Sequence, residues 1–312
     1  MAKALVTGGA GFVGSNVAQA LVKDGIEVVV LDNFATSHFK NLTDIKCDII
    51  PEDAAMVDWG KLPKFDIIFH QQAITDTTVM DQKWMMNQNT EAFRGLLKHV
   101  VKNKIPLVYA SSAGVYGNQP PPHREDGSLV PENIYGFSKL QMDRLAQEAY
   151  PETKTTLVGL RYFNVFGPHE RYKGHAASMI FQLAEQMQAG KRPRIFEFGE
   201  QKRDHIYVKD VVTANLCASH SNRRGVYNVG TGAATSFNRL IEIINEVLGT
   251  EYEPEYFKNP YGFYQNHTQA TTELAEKEIG FKAKWSIEDG IRDYLTILYK
   301  LSKSPKKTAR KI

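Results

Sequence analysis

Short, continuous apolar runs alternate with helix-like segments through the first half of the chain. The runs that predict buried strands occupy residues 4–7, 27–32, 66–70 and 106–112. Segments with the apolar spacing of a helix separate them, including residues 12–23 and 82–103. Continuous apolar strands of this length are typical of a parallel sheet that is covered on both faces. The alternation therefore predicts an α/β fold with a doubly wound parallel sheet.

The first predicted turn carries the segment TGGAGFVG, in which Gly8, Gly11 and Gly14 are three residues apart. This segment follows a strand and opens a helix, as in the phosphate-binding turn of Rossmann-type folds. Gly8 would permit the tight turn, Gly11 the approach of a pyrophosphate to the backbone, and Gly14 close helix–strand packing. The helix start at Phe12 and Val13 would present free N–H groups to the phosphates. The pattern predicts a bound dinucleotide.

The second predicted strand ends in Asp32, where an acidic residue accepts hydrogen bonds from the adenosine ribose. A carboxylate there favours NAD because it repels a 2′-phosphate. His38 and Lys40 in the following loop would soften that preference. The residues themselves leave both NAD and NADP open.

The alternation ends after about residue 165, where longer loops, a helix near residues 176–189 and short strands follow. We therefore expect a dinucleotide-binding Rossmann domain over residues 1–165. A later segment, about 204–235, should return to it because GVYNVG resembles another strand. Residues 166–300 would form mainly a smaller, C-terminal substrate-binding lobe. Residues 301–312 would form a basic tail that we expect to be disordered.

Composition narrows the class of protein. The chain has 312 residues, 42% of them hydrophobic, and a net charge of +3. It has no basic face that would suit a nucleic acid, and no apolar run of membrane-spanning length. The two cysteines, Cys47 and Cys217, have no metal-ligand spacing and fit a reducing compartment. With a strand directly at the N-terminus in place of a signal peptide, we expect a cytoplasmic protein without a bound metal.

The segment YGFSK places Tyr135 and Lys139 four residues apart, on one face of a helix. A phenol with its usual pKa of about 10 is a poor base, but a nearby ammonium stabilises the phenolate. The tyrosine could then exchange a proton with a substrate hydroxyl. Ser111 and Ser112 would supply a further hydroxyl to hold the substrate oxygen.

Four segments in this order, TGGAGFVG, YASSAGVYG, YGFSK and RYFNVFGP, resemble the extended short-chain dehydrogenase/reductase family. Its members mostly modify nucleotide sugars, and the resemblance covers nearly the whole chain. It implies that Tyr135 is the catalytic base, that Lys139 contacts the cofactor ribose and orients the tyrosine, and that Ser112 holds the reacting hydroxyl. It also places further residues beside the cofactor: Asn33, His38, Asp48, Gln71, Ala73, Thr75 and Asn89.

Four further segments are similar to one branch of that family: KWMMNQN, RYFNVFGPHERYKGHAAS, RIFEFGEQKRDHIYVKDV and FYQNHTQA. Members of this branch invert carbon 6 of an ADP-linked heptose through a keto intermediate. In that branch, which supplies heptose for lipopolysaccharide, the lysine of a Lys-Gly pair is a second catalytic base, matched here by Lys173. The resemblance favours NADP and a homo-oligomer. It implies substrate contacts at Ser112, Asn164, Lys173, His175, Phe196, Glu197, Arg203 and Tyr264. His175 and Gln182 depart from the branch, which has serine and histidine there.

Two other functions stay open. The chain would be a UDP-hexose 4-epimerase, or another NAD(P)-dependent nucleotide-sugar enzyme, if Tyr135 acts alone and Lys173 is a bystander. It would be a dinucleotide sensor without catalytic activity if the Tyr–Lys pair were only structural. A 4,6-dehydratase is disfavoured, because Ala113 and Gly114 follow Ser112 where those enzymes have an acidic residue.

Overall fold

The computed structural model describes residues 2–259 and 265–301, and within these ranges strands and helices alternate as the apolar pattern predicts. The strands are β1 (Lys3–Thr7), β2 (Glu27–Leu31), β3 (Asp48–Ile50), β4 (Ile67–His70), β5 (Leu107–Ser112), β6 (Leu157–Tyr162), β7 (Asn164–Phe166), β8 (Arg194–Phe196), β9 (Lys202–Tyr207), β10 (Arg224–Val229), β11 (Ala234–Ser236) and β12 (Glu255–Phe257). The α-helices are α1 (Phe12–Lys23), α2 (Gln82–Met86), α3 (Ala92–Asn103), α4 (Ile134–Ala149), α5 (Met179–Gln188), α6 (Val208–His220), α7 (Phe237–Leu248), α8 (Glu273–Ile279) and α9 (Ile287–Tyr299). Beyond Leu301, the tail predicted over residues 301–312 lies outside the described residues.

The central sheet of the described chain has seven parallel strands in the order β10-β6-β5-β4-β1-β2-β3. The reversal of strand order between β1 and β4 defines a doubly wound sheet. The predicted Rossmann-type fold is therefore confirmed. All the strands point the same way, so side chains that follow β1, β4, β5 and β6 meet at one edge.

Helices cover both faces of this sheet. Ala4 and Val6 pack in one core with Val17 of α1, whereas Leu5 between them packs in a second core with Phe93 of α3 and Met142 of α4. Successive residues of β1 are thus buried on opposite faces. This explains why the strands appear in the sequence as unbroken apolar runs.

The smaller lobe has two sheets of its own in the described residues, with strand orders β11-β9-β7 and β12-β8. Its core joins α5, α7 and α9 around Ile180, Leu240 and Leu295. Of the segment 204–235 that was expected to return to the first domain, β10 lies in the central sheet. Strand β9, in contrast, belongs to the small sheet, because it pairs with β7 and β11. No helix in the described ranges is both long and apolar enough to cross a bilayer.

A buried ion pair fastens α4 to the central sheet. Arg161 of β6 donates through Nε to the Asp143 carboxylate of α4 at 3.0 Å, and both side chains are 1% exposed. Tyr109 of β5 donates to the other carboxylate oxygen at 3.1 Å, and the second arm of Arg161 donates to the Tyr116 hydroxyl. Each charge therefore depends on the other for compensation in the core.

Replacing Asp143 by Asn should lower the free energy of unfolding by about 3–5 kcal/mol, because the Arg161 guanidinium would stay buried without a counter-charge. Urea unfolding of wild type and variant measures the loss. Asp126→Asn is the matched control, since its ion pair with Arg124 is exposed and should contribute little. A loss for Asp143→Asn no greater than that of the control would contradict a structural role for the buried pair.

Candidate active site

A cavity of about 1610 Å³ opens at the carboxyl edge of the central sheet, between the sheet and the smaller lobe. Ser112 at the end of β5 and Tyr162 at the end of β6 form one wall. Phe196 of β8 and Phe237 of α7 contribute from the opposite lobe. The volume exceeds the range of about 300–1,000 Å³ that is usual for a single small molecule, so there is room for two ligands together.

The glycine turn has the shape that a pyrophosphate cradle requires. Gly8 has φ +66°, and a Cβ there would lie 2.6 Å from the backbone of Gln72. A Cβ on Gly14 would lie 2.1 Å from the carbonyl oxygen of Gly8, so only glycine lets α1 start this close to β1. Gly11 is the N-cap of α1, and no side chain caps the helix. Phe12 and Val13, in the first turn of α1, line the cavity. These residues fit a dinucleotide phosphate group.

The Asp32 carboxylate accepts more hydrogen bonds from within the protein than the sequence suggested. Its carboxylate, 6% exposed, accepts hydrogen bonds from the Ala10 N–H at 2.9 Å, the Phe34 N–H at 2.9 Å and the Ser37 hydroxyl at 2.7 Å. It therefore ties the glycine turn to the loop after β2. A carboxylate accepts about four hydrogen bonds, which leaves one position for a ribose hydroxyl.

Three other expected cofactor residues lie outside the cavity lining. Asn33 donates to Asp53 at 3.1 Å, and Asp48 is exposed at the start of β3. The His38 ring stacks on Tyr172, with ring centroids 4.1 Å apart. Asn33 and His38 follow β2, on the side of the sheet where the adenosine half of a dinucleotide binds in this fold, whereas Asp48 begins β3 and lies level with Val29 of β2.

The residues after β4 divide into two groups. Gln71, Ala73 and Thr75 line the cavity, and the Gln71 side-chain oxygen accepts a hydrogen bond from the Tyr162 hydroxyl at 3.0 Å. Asn89 is fully buried behind them, accepting from the Ile74 N–H and donating to the Ile74 carbonyl. Asn89 therefore shapes the cavity wall through the backbone and does not itself line it.

Helix α4 and the end of β5 bring the Tyr–Lys–Ser group together. Asn133 caps α4, accepting from the Gly136 N–H, so Tyr135 stands in the first turn and Lys139 one turn later. Tyr135, Lys139 and Ser112 all line the cavity. Burial raises the pKa of Tyr135, and its hydrogen bond with Ser112 acts in the opposite direction. The Ser112 hydroxyl also accepts from the Gly114 N–H at 3.0 Å, which fixes its position.

Lys139 is 1% exposed, and its Nζ donates to the carbonyl oxygen of Ala110 at 2.7 Å. Burial lowers the pKa of this amine to about 7, while the Asp143 carboxylate one turn along α4 raises it. The amine is thus poised between charged and neutral forms near neutral pH.

A second amine enters the same cavity from the other lobe. Lys173 belongs to a short 3₁₀ segment, Glu170–Ala176, and its Nζ lies 5.6 Å from the centre of the Phe12 ring. Burial lowers the pKa of Lys173, and the Glu170 carboxylate opposes that shift. Glu170 is fully buried and accepts from the Gly167 N–H and from both the N–H and hydroxyl of Ser178. The lysine that the sequence singles out therefore faces the Tyr–Lys–Ser group across one cavity.

The remaining expected substrate residues are only partly brought together. Asn164, His175, Phe196 and Arg203 line the cavity, and the His175 Nε2 lies 2.8 Å from an Asp76 carboxylate oxygen. Glu197 is exposed and lies outside the lining, because the chain turns away after β8. Tyr264 lies outside the described residues. The Asp204 carboxylate accepts from Thr231, Gly232 and Ala270 on other segments.

Sequence reasoning missed several residues of the site. Glu170 lies three residues before Lys173 in the sequence, and that spacing was the available signal. The Phe257 ring of β12 meets the Phe196 ring edge to face, with centroids 5.0 Å apart, but no sequence motif marks this residue. Gln201 and His205 line the cavity from the neighbourhood of β9.

Comparison with known proteins agrees with this geometry. Residues 4–230 match the NAD dependent epimerase/dehydratase family, and the chain belongs to that family. It is 39% identical over 311 residues to the ADP-L-glycero-D-manno-heptose-6-epimerase of Brachyspira hyodysenteriae, covering 95% of this chain and 98% of that one. The crystal structure of the Helicobacter pylori protein of the same name has a TM-score of 0.91 and 42% identity, over 96% of this chain and 97% of that one. A UDP-glucose 4-epimerase from Thermotoga maritima has a TM-score of 0.89 and 28% identity, over 96% and 99% of the two chains.

The lowered pKa of Lys139 predicts a pH-dependent stability. Between a folded pKa of about 7 and the ordinary value of 10.5, the unfolded chain binds a proton that the folded chain does not, so stability rises with pH. Lys139→Met removes this dependence. Its stability advantage over wild type should therefore shrink by about 1.4 kcal/mol per pH unit above neutrality.

Urea unfolding of the nucleotide-free proteins from about pH 7 to about pH 9 tests this expectation. Lys98→Met, at an exposed position of α3, is the matched control. A difference between wild type and Lys139→Met that stays constant over this range would show that burial does not perturb the amine.

Proposed function

We propose that the chain is a nucleotide-sugar epimerase that inverts C6 of ADP-D-glycero-D-manno-heptose through a transient C6 ketone, using a tightly bound nicotinamide cofactor. The observation that carries the proposal is the pair of proton-transfer groups in one cavity, Tyr135 beside Lys139 on α4 and Lys173 on the facing segment. The relatives named for this reaction support the choice of sugar and of carbon.

The residues present fit the cofactor. The glycine turn of Gly8, Gly11 and Gly14 would hold its pyrophosphate, with Asp32 at the adenosine ribose and Lys139 at the nicotinamide ribose. The nicotinamide, when bound, supplies a reversible hydride acceptor. Because the same hydride returns to the sugar, the reaction needs no exchange of cofactor, and NAD(P) should copurify with the protein.

Two proton-transfer groups would meet a stereochemical requirement of inversion at C6. The hydride returns from one fixed face of the cofactor, so inversion requires the ketone to turn and present its opposite face. Its oxygen then points to a different part of the cavity wall. Proton transfer needs hydrogen-bond reach of about 3 Å, and a second group on the opposite wall would provide it for the second orientation. Tyr135 would serve one orientation and Lys173 the other, each removing a hydroxyl proton in one direction of reaction and supplying one in the reverse.

The sugar nucleotide would lie along the smaller lobe. We assign Arg203 to the diphosphate, since a guanidinium binds phosphate oxygens in a planar, paired geometry. Asn164 and His175 would contact the sugar, while Phe196 would pack along the nucleoside. Glu197 is withdrawn from this set because it lies outside the cavity lining.

The second candidate is a UDP-hexose 4-epimerase, favoured by the similarity to the Thermotoga maritima enzyme over nearly the whole chain. In that case Tyr135 would act alone, and the burial of Lys173 would have no catalytic consequence. Substituting Tyr135 and Lys173 one at a time distinguishes the two candidate functions.

Tyr135→Phe and Lys173→Met should each lower the rate of C6 epimerisation by about 10²–10⁴-fold, because each removes one of the two proton-transfer groups that every cycle requires. NMR detection of the two ADP-heptose epimers measures the rate. With a 6-aldehyde analogue, which has no stereochemical demand, either orientation can react, so each variant should retain more activity than in full epimerisation.

Lys191→Met, which also lines the cavity, is the matched control and should stay close to the wild-type rate. Wild-type activity on UDP-glucose at C4, with Lys173→Met nearly normal, would favour the second candidate. Lys173→Met within a few-fold of wild type on ADP-heptose would refute the two-base mechanism.

We also propose that NADP binds more tightly than NAD. Lys40 and His38 follow β2 beside the expected adenosine ribose and can meet a 2′-phosphate, although Asp32 remains nearby. Lys40→Ala should then raise the Kd for NADP about tenfold and leave that for NAD unchanged, as expected for one lost charge-assisted contact. Calorimetric titration of the nucleotide-free protein measures both constants, with Lys46→Ala as the control. An equal increase in the Kd values for NAD and NADP would show that Lys40 does not contact the 2′-phosphate.

A further inference from the structure

Three polar side chains, two on β9 and one on the residue before it, point into the cavity. Gln201, Arg203 and His205 occupy alternate positions, so their side chains point the same way, and all three line the cavity. Ile206 of the next position packs instead in the core on the other side of the strand. The row therefore faces the ligand space and not the central sheet.

His205 lacks the partners that a buried histidine normally has. The ring is 4% exposed, and neither Nδ1 nor Nε2 has a hydrogen-bond partner among the described residues. The Gln201 Nε2, in a side chain that is 8% exposed, is likewise without one in the described part of the chain. A buried polar atom that is left without a hydrogen-bond partner destabilises the folded protein. Packing does not explain a histidine at this position. The neighbouring ring is the apolar Phe237, and its centroid lies 6.3 Å from that of His205.

The register of the strands gives the order of the row relative to the expected position of the sugar. His205 pairs with Asn164 of β7, which the proposed function places at the sugar, whereas Arg203 lies two positions earlier on β9. His205 is thus nearer to Asn164 than Arg203 is, and Gln201 is farther still. At about 3.3 Å per residue the row spans roughly 13 Å, longer than a diphosphate and comparable with an extended nucleotide sugar.

We propose that His205 binds the sugar-side phosphate of the nucleotide sugar, donating from one ring nitrogen to a phosphate oxygen and accepting from a sugar hydroxyl at the other. This inference rests on the proposed function, which places the diphosphate at Arg203. A neutral imidazole has one donor and one acceptor, and a glycosyl phosphate offers the complementary pair. Burial, with a smaller effect of Arg203, lowers the pKa of His205 to about 3, so the ring is neutral at physiological pH.

The contact can be tested with ADP and AMP, because only ADP carries the phosphate on the sugar side. Calorimetric titration of NADP-saturated protein, in which the adenosine site of the cofactor is filled, gives both dissociation constants. His205→Phe should weaken ADP about tenfold, as for a lost hydrogen bond to a charged group, and leave AMP unchanged. His205→Gln, which keeps a donor and an acceptor, should recover most of the ADP affinity.

The thermal unfolding midpoint of ligand-free His205→Phe should be no lower than that of wild type, because two unpaired polar atoms are removed. Equal weakening of ADP and AMP, or a lowered midpoint with unchanged affinities, would overturn the proposal in favour of a structural role. His205→Leu replaces the Phe variant if that variant does not fold. Wild-type protein that binds neither nucleotide would refute the proposed function itself, whereas tight wild-type binding with no effect at His205 refutes only this inference.

Discussion

The position of helix α4 on the central sheet depends on the ion pair between Asp143 and Arg161. Helix α4 carries Tyr135 and Lys139, and β5 and β6 carry the serine and tyrosine that face them. Asp143 reaches both strands, accepting from Arg161 of β6 and from Tyr109 of β5. A shift of α4 along its axis would separate these charges in the core, where an unpaired guanidinium is strongly disfavoured. The same carboxylate raises the pKa of Lys139 against the larger effect of burial, so Asp143 influences both the position of the Tyr–Lys pair and the charge of its amine.

The second amine follows the same physical arrangement on an unrelated segment. Lys173 is only partly buried, but burial still lowers its pKa, and a fully buried carboxylate on its own segment, Glu170, opposes that fall. Glu170 in turn closes its loop by accepting from Gly167 and Ser178. For each amine, burial lowers the pKa and the neighbouring carboxylate raises it, so the two effects oppose each other at both positions.

The sequence predicted those parts of the molecule that depend on local pattern. The apolar runs gave the strands of the central sheet, and residues 12–23 form α1 as the spacing indicated. The glycine turn and the Tyr–Lys pair could be identified because each motif lies within one element or one connection. The predicted helix over residues 82–103 is instead interrupted by a π-helical turn at 87–91, which places Asn89 against Ile74.

Contacts between segments that are distant in the chain could not be predicted from local sequence pattern. The place of β9 follows from its partners β7 and β11, which its own sequence, KRDHIY, does not specify. The hydrogen bonds that Asp32 accepts from Ala10 and Ser37 could not be predicted, because they depend on how two turns fold against each other. His205 carries no local signal at all, since its importance comes from unpaired atoms in a cavity that two lobes form together.

The segment that carries Lys173 is attached to the cofactor domain along its length. His169 lies 2.8 Å from the Ser15 hydroxyl of α1, Tyr172 stacks on His38, and His175 meets Asp76 beyond β4. These contacts precede, flank and follow Lys173, so the lysine backbone is held to the same body as α4 and the glycine turn. Tyr135 and Lys173 consequently keep fixed places on opposite walls of the cavity. If they are the two proton-transfer groups of the proposed reaction, the group left to reorient between its two half-reactions is the sugar ketone itself.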